Sequence, residues 1–202
     1  MDRFLFMIDR LSAAVGKAFA WCILTLTLAV SYEVFVRYAL GHPTQWAYDI
    51  SYIMYGALFI MAGAYTLSRN GHVRADTFYR LLPARAQAAS DLILYVLFFF
   101  PGILALIYSG SLYAGRSWSY KEVSVFSPAG VPIYPLKTLI PLAGFFLLLQ
   151  GVAEVIRCVL CLRSGEWPQR LHDVEELETV ILHEREYLAE RGAEAGTTGA
   201  DR

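Results

Sequence analysis

Four ionisable residues, Glu33, Arg37, Asp49 and Glu154, stand at the rims of stretches that otherwise carry almost no charge. A charge near a bilayer is costly and is usually placed for a purpose, so these four are the first candidates for chemistry. Glu33 and Arg37 are four apart, the spacing that pairs side chains on one helical face, and Asp49 can meet Arg37 across a short connection. Glu154 stands one turn after Gln150 and three residues before Arg157, its candidate intrahelical partner. The plain reading of the set is ion pairing that fixes how helices join. Contact with a partner subunit or with lipid is the alternative. Moving a proton or cation needs several converging acids or broken helices at mid-depth, and the central thirds of the apolar stretches lack them.

Other chemistries find little support. A membrane haem needs histidines facing each other inside a bundle, whereas His42, His72, His172 and His183 all fall outside the apolar stretches. Cys158-x-x-Cys161 has redox spacing but continues an apolar helix end with no thioredoxin-like setting, and with Cys22 the three cysteines make no disulfide framework. Phosphate loops, hydrolase elbows and paired histidine-carboxylate motifs are missing. No catalytic residue, cofactor or metal is therefore expected, and an enzyme is disfavoured. A net charge of −1 without a large basic cluster argues against nucleic acid as a partner.

The elements that position these residues are membrane helices. The chain has 202 residues, 56% hydrophobic and 17% charged, outside the usual soluble range. Between Asp49 and Arg69 lie 19 residues without a charge, and between Asp91 and Arg116 lie 24. Two more runs, Ala18 to Val36 and Thr138 to Ile156, each hold a single charge. About 20 apolar residues span a bilayer, so the expected fold is an all-α integral membrane protein with four transmembrane helices, about 18–36, 50–67, 92–115 and 138–156. Residues 1–165 form that membrane domain and 166–202 a charged tail.

Of the 17 Lys and Arg residues, 13 fall in the N-terminal segment, the connection between spans two and three, and the tail. The positive-inside rule then places both termini in the cytoplasm. The first span lacks a small-x-small cleavage pattern and reads as retained rather than as a signal peptide. Before it, Phe4, Met7, Ile8, Leu11 and Val15 recur at helical spacing, as in a short interfacial helix or an extension of the first span. Pro83 fits the first position of helix three, Pro101 predicts a kink within it, and Pro141 lies about one turn into helix four. Residues 172–191, with Val174, Leu177, Ile181 and Leu188 on one face, predict a cytoplasmic amphipathic helix before a disordered end.

Small residues, including Gly56, Gly63, Gly110, Gly144 and Gly151, permit close backbone approach. Such seams serve either to dock a larger membrane protein or to pack the chain's own helices. Tyr48, Tyr52 and Tyr55 form a stripe on helix two. The external loop Arg116 to Pro135 is rich in proline and carries Trp118, Tyr120, Phe126 and Tyr134. Phe126 and Tyr134 are candidates for partner contact there, against the plainer reading of a rigid turn with interfacial aromatics.

Several motifs together resemble the small membrane subunit, the DctQ type, of tripartite ATP-independent periplasmic (TRAP) transporters. They are Glu33-Val34-Phe35-Val36-Arg37-Tyr38 closing the first span, Pro43-Thr44-x-Trp46-x-x-Asp49 opening the second, and Gly71-His72-Val73-Arg74-x-Asp76 after it. The family often has Glu at the place of Asp49. The resemblance covers roughly residues 5–165, and Ser124 to Pro141 with Leu149 to Glu154 looks like the subgroup associated with mannitol, chloroaromatic or 2-oxo acid transport.

The resemblance implies a multi-pass protein of the bacterial cytoplasmic (inner) membrane, in a secondary uptake system for an organic acid driven by an ion gradient, usually sodium. Its implied partners are a large multi-spanning permease subunit, a periplasmic substrate-binding protein and membrane lipids, with this chain as a static scaffold. By position, Arg37, Trp46 and Asp49 would hold the corner between helices one and two, while His72, Arg74 and Asp76 would order the cytoplasmic connection. From another class, a membrane-anchored regulator acting through residues 166–202 is the competing reading.

Overall fold

The computed structural model describes residues 2–69, 71, 79, 81–168 and 185. All but Arg185 fall in one unit, Met1–Leu171. His72, Arg74 and Asp76 lie outside the described residues, as does the helix expected over 172–191 except for Arg185.

The described chain is helical, with a single isolated antiparallel bridge, Val123 to Pro132. Four helices are long and apolar enough to cross a membrane. The first joins α1 (Asp2–Ala20) and α2 (Cys22–Ala39) through Trp21, whose backbone stays helical at φ −63° and ψ −19°. The N-terminal segment thus extends the first span instead of lying apart from it. At 1.5 Å per residue the 37 residues from Arg3 to Ala39 reach about 55 Å, well beyond a hydrocarbon core of about 30 Å. Gly41 ends this rod in the left-handed conformation (φ 68°), which costs glycine nothing.

The second rod is α3 (Ala47–Ser68). The third runs from α4 (Ala84–Leu94) through a π-helical segment, Tyr95–Phe99, into α5 (Phe100–Tyr120). Pro83 is the N-cap of α4, with an extended ψ of 152°, one position earlier than expected. Just before Pro101, where a kink is expected, the helix carries that π segment, with the Phe100 N–H bonded to the Tyr95 carbonyl. A ring nitrogen cannot donate to the preceding turn, and a widened turn just before it absorbs the mismatch. The fourth rod is α6 (Tyr134–Ser164), with Pro141 inside it.

These helices exceed the apolar runs because charged residues such as Arg85 and Arg163 continue the helix beyond the hydrophobic stretch. The rods pack in the order first, second, fourth, third: α1 and α2 against α3, α3 against α6, and α6 against α4 and α5. α1 also reaches α6, so that end of the molecule is the more closed. One apolar core gathers Leu67, Ala88, Tyr95, Cys158 and Cys161, with Phe99, Phe100 and Trp167 against it. The small residues serve these internal seams. A side chain at Gly151 would strike the Phe99 ring, one at Gly144 would come within 2.7 Å of Ile107, and one at Gly16 within 2.5 Å of Tyr65.

Candidate functional site

Polar side chains collect in two groups at opposite ends of the rods. At one end, α1 turns a mixed face inward. Leu5, Ile8, Asp9, Ser12 and Ala13 are buried, while Phe4, Met7 and Leu11 are exposed. Most of the apolar residues read as an interfacial face therefore point away from the other helices, and the inward stripe carries an acid. Asp9 accepts from Arg157 Nη2 at 2.5 Å and from Gln150 Nε2 at 2.9 Å. Arg157 Nη1 donates to Glu154 at 2.5 Å, and Ser12 donates to the Gln150 side-chain oxygen at 3.0 Å.

The Glu154–Arg157 pair expected within one helix is thus present, but as half of an arrangement that also ties α1 to α6. All five side chains are buried, with Arg157 at 0% exposure and its Nε without a partner. In such a setting two charges stabilise only through close geometry and added hydrogen bonds, and removing one partner costs about 3–5 kcal/mol. Cys161 donates to the Ala84 carbonyl at 3.6 Å on the same half of α6, a packing contact within the core.

At the other end, Glu33 binds in two directions. One oxygen takes Arg37 Nη2 at 2.6 Å, and the other takes the Thr44 backbone N–H at 3.0 Å and the Thr44 hydroxyl. The corner between α2 and α3 is closed by this carboxylate and by Trp46, stacked on Tyr32 with ring centroids 5.9 Å apart. The anticipated Arg37–Asp49 pair is not formed. Asp49, 1% exposed, accepts instead from Ser124 at 2.5 Å and from Ser127, both in the loop between α5 and α6. The acid is reached from the loop after α5, whose folding back a local reading of residues 33–49 cannot show.

That loop leaves α5 through Lys121, in the left-handed region at φ 47°. It is held further by Ser124 N–H to Val131 O at 2.8 Å and by the Lys137–Glu122 ion pair at 2.5 Å. The Lys137 ammonium and the Ser117 hydroxyl beside Glu122 hold its carboxyl below the usual carboxylate range. Trp118 packs against Tyr134 at 4.3 Å between centroids and donates to Thr138. Phe126 lies against Tyr48 and Tyr52 yet remains 66% exposed. Of the two aromatic contact candidates, Tyr134 is engaged within the chain and Phe126 faces outward. With Tyr48, Tyr52, Tyr55 and Phe59 it forms an exposed aromatic strip along α3.

Sequence reasoning passed over Asp9, Ser12, Ser124, Ser127 and the Glu122–Lys137 pair. A signal existed for the first two: Ser12 and Gly16 are small residues four apart on the stripe that carries Asp9, the pattern of a helix packed closely on its neighbours. Among the described residues no group of three or more His, Cys, Asp or Glu side chains gathers to hold a metal ion. The arrangement joins helices and pins a loop, and presents an aromatic strip outward.

Comparison with curated proteins finds no match. A model of the family described as tripartite ATP-independent periplasmic transporters, DctQ component, matches residues 26–161. The match covers more than half of the chain and includes the α2–α3 corner, Asp49 with its serines, and most of α6 with Glu154 and Arg157. This chain therefore belongs to the DctQ component of TRAP transporters, a membrane component of a transport system and not an enzyme.

Proposed function

We propose that this chain is the static scaffold of its transporter. It braces a large multi-spanning permease subunit while that subunit moves an organic acid, delivered by a periplasmic binding protein, into the cell on a sodium gradient. The family match over residues 26–161 carries the reading and implies that the chain works with other TRAP components. The geometry supports it: Asp9, Glu154 and Arg157 bind one another, Glu33 binds Arg37 and Thr44, and Asp49 is filled by two serines. Such groups serve rigidity, since a transport site must release and rebind its ligand.

In this reading both termini face the cytoplasm of a bacterial inner-membrane protein, as the positive-inside distribution requires. The large subunit docks along the aromatic strip of α3 and Phe126, where the Tyr48, Tyr52 and Tyr55 hydroxyls can gain partners that lipid tails do not offer. Co-expression with the adjoining large subunit tests this. A tagged copy of this chain should retain the large subunit through purification in mild detergent, and should take up no substrate when reconstituted alone. Failure to retain it, or transport by this chain alone, contradicts the proposal.

A further inference from the structure

The outward face of α1 carries a feature that joining helices does not use. Arg3, Phe6, Met7 and Arg10 line an open groove of about 330 Å³. The two arginines are seven residues apart, which places them on one helical face about 10.5 Å apart along the axis. Lys17 extends the row by another seven. All three are exposed, and no described residue gives any of them an ion pair or hydrogen bond. The one acid in the middle of the same helix, Asp9, points the other way and is taken by Arg157 and Gln150.

The level of the groove follows from that bond. Arg157 ends the apolar run Thr138 to Ile156, which at 1.5 Å per residue spans about 28 Å, one hydrocarbon thickness. Asp9 joined to Arg157 therefore sits at one edge of the membrane, and Arg10 beside it lies at headgroup depth, with Arg3 further out. Exposed Phe4, Met7 and Leu11 accompany them. Cationic forks interleaved with apolar side chains, with Leu11 on the membrane side of Arg10, match one class of ligand: a phosphodiester headgroup whose acyl chains continue inward along the helix. Guanidinium binds phosphate oxygens in pairs, and basic residues at the interface draw anionic lipid. A free phosphate would leave Met7 and Leu11 without a role.

We infer that the Arg3–Arg10 face of α1 is a binding site for an anionic phospholipid, held by its phosphodiester between the two guanidinium groups at the level of Phe6 and Met7, with its acyl chains running inward past Leu11. The site fastens the long N-terminal extension of the first rod to the membrane surface.

Native mass spectrometry of the full chain, released from micelles doped with phosphatidylglycerol or with phosphatidylcholine, tests the assignment. Wild type should retain one phosphatidylglycerol in preference to phosphatidylcholine. The double variant R3Q/R10Q should lose about 30-fold in that retention, from roughly fivefold per basic residue, while R116Q at the far end of the rods keeps it. R3K/R10K should preserve the preference for phosphatidylglycerol. Because Arg3 and Arg10 are exposed, the variants should elute as wild type does on size exclusion. Equal retention by R3Q/R10Q and wild type overturns the site, as does an equal loss in R116Q. Displacement of the lipid by millimolar inorganic phosphate shows an anion site without lipid specificity and overturns the lipid assignment.

Discussion

Arg157 is the residue on which two carboxylates from different helices converge, so its loss is the sharpest single test of the Asp9–Arg157–Glu154 lock. Arg157→Met leaves Asp9 and Glu154 buried without their cation and should lower stability by about 3–5 kcal/mol, measured as the unfolding transition in detergent. An unchanged transition means that the cluster does not hold α1 in place. At the opposite end of the rods, Glu122 offers a pH test. Its carboxyl lies below its ordinary value of 4.5, first through the hydrogen bond from Lys137 and then through that from Ser117. A depressed folded value means that the contribution is complete above the ordinary value and is lost as pH falls through the folded one. Hydrogen exchange in residues 122–133, corrected for intrinsic rates, should stay level from about pH 8 to 5 and quicken below about pH 4; quickening near pH 6 contradicts this assignment. Phe126→Ala should weaken recovery of the large subunit by roughly tenfold, the scale of an exposed aromatic anchor, whereas Tyr134→Ala should act on the loop through Trp118. Pull-down yield and loop proteolysis distinguish the two.

Among the helices, shape decides more than charge. Gly151 faces Phe99, the last residue of the π segment, so the turn that accommodates Pro101 also delivers an aromatic ring to the barest point of α6. Gly151→Val should cost about 1–3 kcal/mol through overpacking, and Phe99→Ala in the same chain should recover part of it. Additive losses in thermal unfolding would show that the two do not touch. The rods themselves were legible in the sequence because twenty or so uncharged residues have few other uses, and the prolines at 83 and 135 mark helix starts by local geometry alone. The Glu33–Arg37 and Glu154–Arg157 pairs were equally local. Asp9 with Arg157 and Asp49 with Ser124 were not, since 148 and 75 residues separate them, and no spacing rule reaches that far. Asp9 was further disguised by Arg3 and Arg10, which make the helix look like one lying on the surface rather than one docked inward.

Across the whole molecule, the rods are arranged to leave surface available. α2 packs on α3, the aromatic strip beside it faces outward, and the third rod exposes Ile93, Val96, Leu97 and Phe98. A frame that extends a larger subunit needs such faces, while its internal charges keep the rods in fixed register. If residues beyond the rods regulate rather than support, truncation after Pro168 discriminates, because it preserves the Trp167 hydrogen bond to Gln87. Scaffold function predicts uptake within about twofold of wild type, since the four rods and the contacts between them are kept; a regulator predicts loss of the response it controls. The most direct test is substrate uptake into proteoliposomes holding the large subunit and binding protein, with and without this chain, under an imposed sodium gradient. The scaffold account predicts that uptake requires this chain; full uptake in its absence would contradict it.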